Sequence, residues 1–282
     1  MYPRAFDYLR PQDVSEVTAA LARYGADARV LAGGMSLVPM LKYRQCSPAV
    51  LVDIGRLTGL SGIDMGEDVV SLGAVTHHHE VAAWRCREAL AAVPELAARI
   101  GDAHVRNMGT VGGGLAAVEP TGDWGTLVLA MRGEVVATST RGERTIPIDS
   151  FFVDTHRSSL EVDELLTEVR LPIPERDFGT AFAKFEARSG AALISCAGCV
   201  ELAGERVTRI GLACVGVRGF PTRLAAAEEL LLGRRPAAQA FEEAVAEART
   251  ECGDDFRGAV VGSLLREVLL SATRRARGEV AA

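Results

Sequence analysis

Two glycine-rich segments carry the chemistry this sequence offers. The first, Leu31-Ala32-Gly33-Gly34-Met35-Ser36, follows a short apolar run directly. Paired glycines tolerate positive φ and let a ligand come close to the backbone. Successive N–H groups in such a turn form an anion-binding concavity, helped by the start of a helix near Leu37. The second segment holds Val105, Gly109, Thr110, Gly112, Gly113 and Gly114, and then the carboxylates Glu119 and Asp123. Its hydroxyl and bare backbone suit a phosphate or a closely packed ring, and its carboxylates can accept hydrogen bonds from sugar-like hydroxyls. Either segment alone also fits a tight turn without a ligand. Together they point to an extended, diphosphate-containing ligand.

Other chemistries find less support. Gly33-Gly34 lacks the G-x-G-x-x-G spacing, and no G-K-[ST] occurs, which disfavours a Rossmann nicotinamide site and P-loop hydrolysis. No G-x-S-x-G elbow is present. Cys196 and Cys199 form a lone C-x-x-C, too few ligands for zinc or an iron–sulfur cluster, and their flanks read as a buried strand. The six cysteines are read as reduced thiols. His77-His78-His79 suggests a metal, but adjacent strand residues face opposite ways and no completing ligand is evident, so no metal site is expected. His104 and His156 read as ordinary loop histidines.

The elements that must position these residues follow from periodicity. Apolar spacing predicts a helix over 13–24, ended by Gly25, then a strand over 29–32, a helix over 37–43 and a strand over 50–54. Strand-like residues 69–75 precede helical stretches over 80–100, an open glycine-rich stretch over 101–123, strands over 134–138 and 145–148, and a helix-to-strand passage over 164–171. Pro172-Ile-Pro174 marks the main boundary. Beyond it, strands over 182–187, 193–202 and 207–217 precede a helical region from 222 to 277, predicting helices on one face of a sheet. The fold class is therefore α+β.

Composition narrows the function. The chain has 282 residues, 48% apolar and 24% charged, so it can build full cores. Its net charge of −6 disfavours nucleic acid. Apolar runs stop well short of the ~18 residues of a membrane span, and no secretory pattern opens the chain. The expectation is a cytoplasmic protein.

In order along the chain stand Phe6-Asp-Tyr8, Arg10-Pro11, Ala32-Gly-Gly-x-Ser36-Leu-x-Pro39 and Leu51-Val-Asp-Ile54. Leu72-Gly-Ala-x-Thr76-His77, Ile100-Gly-Asp, Val105-Arg-Asn-x-Gly109-Thr110-x-Gly112-Gly113, Glu164-Leu-Leu-Thr-Glu-Val169 and Phe182-x-Lys184-Phe follow. With these motifs nearly the whole chain resembles the FAD-binding medium subunit of the molybdenum hydroxylases, the family of carbon monoxide and xanthine dehydrogenases. The resemblance implies a fold like vanillyl-alcohol oxidase and p-cresol methylhydroxylase. FAD would sit between subdomains 1–58 and 59–175, ahead of an α+β C-terminal domain 176–282. It also implies a cofactor set of Leu31, Ala32–Ser36 around the diphosphate, Thr76, His77, Val105, Gly109, Thr110, Gly112, Gly113, Glu119 and Asp123. Leu166 falls at the apolar position against the isoalloxazine, and Lys184 near the flavin ring. No substrate chemistry is expected of such a subunit. It takes electrons from a [2Fe–2S] small subunit and passes them to NAD⁺, oxygen or a quinone, while a large subunit holds molybdopterin and substrate. Met35, Gly114 and Val118-Glu119-Pro120 depart from the family's usual residues, as do Asp154-Thr155 and 258–263. Two other readings stand beside this one, an autonomous FAD-dependent oxidoreductase acting on a small organic substrate and a flavin-free scaffold.

Overall fold

The computed structural model describes residues 2–175, 177–186, 192–253 and 255–279. It begins with β1 (Asp7–Leu9), α1 (Val14–Tyr24), β2 (Ala28–Leu31), α2 (Leu37–Lys42) and β3 (Val50–Asp53). The strands form a parallel sheet in the order β1-β3-β2. Helix α1 starts where the Asp13 carboxylate accepts the Glu16 N–H and stops at Gly25, φ 51°. Its Val17 and Leu21, one turn apart, meet Val50 and Val52 in a small core.

Next come β4 (Ile63–Met65), β5 (Val69–Gly73), α3 (His78–Ala82), α4 (Ala92–Ala98), α5 (Ala103–Met108), α6 (Val111–Ala116) and α7 (Asp123–Met131). They are followed by β6 (Glu134–Ser139), β7 (Gly142–Pro147), β8 (Phe152–Asp154), β9 (Arg157–Ser158) and β10 (Leu165–Pro172). Strands β4-β5-β10-β6-β7 make an antiparallel sheet. Residues 165–172 are strand throughout, because β10 is held on both sides by β5 and β6. The glycine-rich stretch is not open either. Asp102 accepts the Val105 N–H and Thr110 accepts the Gly113 N–H, so two side-chain caps start two short helices there.

The remainder is an antiparallel sheet of β11 (Asp177–Glu186), β12 (Ala192–Ala203), β13 (Arg206–Val215) and β14 (Thr222–Arg223). It is followed by α8 (Ala225–Glu229), α9 (Ala238–Cys252) and α10 (Phe256–Ala276). The helices that follow the strands cover one face of this sheet, as expected, and α7 from the preceding region covers the other. Ala181, Ala183, Cys196 and Val200 pack with α9 and α10, while Phe182, Ala197, Cys199 and Ala213 pack with α7 on the other face. Alternation along buried strands produces both sets. Cys196 and Cys199 therefore lie on opposite faces and cannot share a ligand, and burial pushes the Cys199 thiol up to about 12. Among the described residues no helix is long and apolar enough to cross a membrane.

Candidate cofactor cleft

The turn between β2 and α2 lies directly against the turn between α5 and α6. A Cβ at Gly33 would stand 1.8 Å from the Met108 carbonyl oxygen, so only glycine permits this approach. Gly34, at φ 73°, takes the chain into α2 through a conformation that glycine adopts freely. Backbone pairing holds the facing segment. Val111 N–H donates to the Thr76 carbonyl (3.0 Å), Gly112 N–H to that of Ala74 (2.9 Å) and His78 N–H to that of Gly109 (3.1 Å). Between these turns, β10 and the start of α7 opens a cleft of about 560 Å³. That volume is within the range of small-molecule and cofactor sites.

Of the residues singled out above, Ala32–Ser36, Val105, Gly109, Thr110, Gly112, Gly113, Glu119, Asp123 and Leu166 line this one cleft. Leu31, Thr76, His77 and Lys184 do not. Thr76 is buried, its hydroxyl exchanging hydrogen bonds with Gly62 N–H and carbonyl (2.9 and 3.0 Å). The His77 ring sits 3.2 Å from the Met108 carbonyl oxygen and stacks on His79, so it braces the back of the α5–α6 turn. Lys184 lies behind the wall. Its Nζ donates to Asp123 Oδ2 (2.8 Å) and to the Arg99 carbonyl (2.9 Å).

Asp123 is buried at the mouth of α7, and burial raises its carboxyl pKa, with the Lys184 ammonium pulling it partly back. Oδ2 is taken by Lys184, and the buried Ser195 hydroxyl is a further group that stabilises the carboxylate, whereas Oδ1 is buried without a hydrogen bond of ordinary geometry. Such an acceptor on a cleft wall fits a ligand hydroxyl or N–H. Leu166 is 5% exposed, beside a bulge between Leu166 and Glu168 that breaks the β10–β6 register.

The cleft also uses residues that sequence reasoning passed over. His78, rather than His77, lines it, 5% exposed. The Trp124 indole N–H donates to His78 Nδ1 (3.2 Å), which assigns the ring proton to Nε2. Burial, helped by His77 and Arg106, lowers the His78 pKa to about 4, so the ring is neutral in ordinary conditions. The three histidines start a helix rather than alternate along a strand, and helical turn carries only His78 inward. Among the described residues no cluster of three or more His, Cys, Asp or Glu could hold a metal. Glu164 also lines the cleft, and the Arg144 guanidinium (2.5 and 2.7 Å) holds its pKa below the usual value. The tripled histidine was the one sequence signal for His78. Glu164 opens the motif 164–169, but no role in the cleft was assigned to it there.

Residues 4–174 match the family of the FAD binding domain in molybdopterin dehydrogenase, and residues 180–272 match the CO dehydrogenase flavoprotein C-terminal domain. The carbon monoxide dehydrogenase medium chain of Hydrogenophaga pseudoflava is 33% identical, over 98% of this chain and 99% of that one. The 6-hydroxypseudooxynicotine dehydrogenase complex subunit alpha of Paenarthrobacter nicotinovorans is 32% identical, over 98% and 97%. A solved carbon monoxide dehydrogenase structure from H. pseudoflava superposes with TM-score 0.92 at 34% identity, covering 98% and 99%. Quinoline 2-oxidoreductase from Pseudomonas putida superposes with TM-score 0.87 at 26% identity, covering 100% of both chains.

Proposed function

The chain belongs to the family of FAD-binding medium subunits of molybdenum hydroxylase-type dehydrogenases, and on that premise we propose that it relays electrons from a [2Fe–2S] small subunit to an acceptor. A molybdopterin-bearing large subunit then does the substrate chemistry. FAD, when bound, supplies the redox chemistry. The chain supplies the binding, the orientation and the polarity around it.

In this reading the turn Ala32–Ser36 holds the diphosphate through backbone N–H groups, with Gly109, Thr110, Gly112 and Gly113 approaching from the facing wall. Asp123 Oδ1 accepts a hydrogen bond from the cofactor, Lys184 fixes that carboxylate from behind, and Leu166 offers an apolar surface to the ring. Leu31, Thr76 and His77 support the backbone of the two turns and need no direct contact. The same reading divides the chain into 1–58, 59–175 and 176–282, places it in the cytoplasm, and leaves NAD⁺, oxygen or a quinone as acceptor.

One observation carries the relay over direct substrate chemistry. Two of the buried titratable groups on the cleft wall are already engaged, Glu164 by Arg144 and His78 by Trp124, and Asp123 is held by Lys184 through one of its two oxygens. Groups held in this way suit a wall that binds and orients a cofactor rather than one that moves protons. Relatives named for carbon monoxide and for a nicotine-derived compound share about a third of their residues with this chain, which supports a substrate choice made in another subunit.

The test mixes the FAD-loaded chain with a reduced [2Fe–2S] partner and follows the flavin absorption. Bleaching that requires the partner is the expected result. Bleaching of the isolated chain by a small organic substrate would replace the relay with an autonomous oxidoreductase, and no bleaching by either would overturn both.

A further inference from the structure

Outside the cleft, β13 and the end of α9 bring two thiols together. Cys214 Sγ lies 3.8 Å from Cys252 Sγ, across a sequence separation of 38 residues. Cys214 is buried on the face of the sheet that meets α9 and α10. Cys252 is half-buried and is the last residue of its helix, followed by Gly253 at φ 101°. A cavity of about 10 Å³ opens beside both sulfurs, bordered by Arg218, Thr222 and Glu251. That is room for about one water-sized molecule.

We propose that Cys252 and Cys214 form a dithiol that hydrogen peroxide oxidises to a disulfide. Cys252 is the attacking sulfur and Cys214 the resolving one. With the Cys214 S–H as donor the contact favours the Cys252 thiolate, and the Arg218 charge favours it further, against the opposing effects of burial and the Glu251 carboxylate. The thiolate attacks one peroxide oxygen. An S–O bond forms, the O–O bond breaks, and hydroxide leaves, taking the Cys214 proton to become water. The Cys214 thiolate then attacks the sulfenic sulfur, forming the S–S bond and releasing hydroxide. The sulfurs lose two electrons and the peroxide oxygens gain them.

Geometry permits closure. The sulfurs must approach from 3.8 Å to about 2 Å. Cys252 can supply the movement, because the i→i−4 ladder of α9 ends there and the glycine after it tolerates a change of direction. Cys196 is the register partner of Cys214, but it is completely buried and its thiol pKa is pushed far up, so it stays reduced. Cys46 and Cys86 are half-buried like Cys252 and serve as internal comparisons.

The experiment treats the full-length, FAD-loaded protein with hydrogen peroxide, alkylates remaining thiols with N-ethylmaleimide under denaturing conditions, and maps peptides without reduction. The expected result is a Cys214–Cys252 linked peptide, with four of the six cysteines still alkylated. In Cys214→Ser the expected result is a dimedone adduct at Cys252, since nothing resolves the sulfenic acid. Six alkylated thiols after peroxide would overturn the proposal. So would oxidation of Cys46 or Cys86 ahead of Cys252. The wild-type map decides the matter even if the variant does not fold.

Discussion

On one side of the cleft, the turn after β2 presents glycine backbone and no buried charge. On the other, α3 and α7 bury His78, Trp124 and Asp123, with the Lys184 ammonium behind them. Both sides are rich in glycine, but for different reasons. Gly33 and Gly34 answer a backbone contact and a positive φ. Gly112 and Gly113 sit in the first turn of α6 with ordinary helical backbone, and Gly112 is required because Ala74 lies where its Cβ would be (2.6 Å). Glycine richness in sequence thus reports closeness of approach, to a ligand or to another chain segment, without saying which.

That difference can be broken or sharpened by substitution. The largest effect is expected from Gly33→Ala. Its methyl group has nowhere to go except through the Met108 carbonyl, so the two turns must separate, at a cost of about 3 kcal/mol or more. Denaturant unfolding and flavin content should fall together. Retained stability with FAD bound would show that the turns need not touch.

Lys184→Met comes next. It strands Asp123 without its counter-charge, and breaking a buried pair costs about 3–5 kcal/mol. Burial already raises the Asp123 pKa in the folded state, so its contribution to stability is complete below the unfolded value and is lost as pH rises through the folded one. Removing Lys184 pushes the folded value higher and widens that window. The destabilisation should therefore be larger at neutral pH than near the ordinary carboxylate value of about 3.9. Equal losses at both pH values would place the carboxylate in contact with water.

His78→Gln tests the same wall with the opposite sign. The folded pKa of about 4 lies below the ordinary 6.5, so the histidine contributes stability above 6.5 that is lost as pH falls toward 4. The full swing is about 3 kcal/mol. In the glutamine variant, which still offers Trp124 an acceptor, stability should be flatter over that interval. An unchanged slope would assign the pH dependence elsewhere.

The smallest effect on stability is expected from Gly113→Ala. Its added Cβ meets only the Thr110 hydroxyl (2.7 Å) closely, with the Ala32 Cβ of the facing turn next at 4.0 Å. A change below about 1 kcal/mol is expected, the worth of a weakened cap. FAD affinity should fall about tenfold, or about 1.4 kcal/mol. If stability falls as far as in Gly33→Ala, the two walls obey the same constraint after all.

Much of the architecture was legible in the chain. The helix over 13–24 followed from apolar spacing and Gly25, and the buried strand around Cys196–Cys199 from its continuous apolar run. The α5–α6 region was harder to read. Its glycines argue for a loop by intrinsic propensity, and the two caps at Asp102 and Thr110 reverse that locally. Residues 164–171 carry good helix formers, but the ladders from β5 and β6 override propensity.

The site divides in the same way. Residue types and their order along the chain determined that two glycine turns exist, that a carboxylate follows the second, and that the family is one of FAD-binding subunits. Those are properties of local chemistry and of motif order. Only the tertiary structure decided that Gly33 touches Met108, that His78 rather than His77 faces the cleft, and that Lys184 reaches Asp123 across a sequence separation of 61 residues. Which way a side chain faces depends on where a helix begins. Which charge neutralises a buried carboxylate depends on what another sheet brings against it. Both follow from packing between distant segments, which no local run of residues encodes.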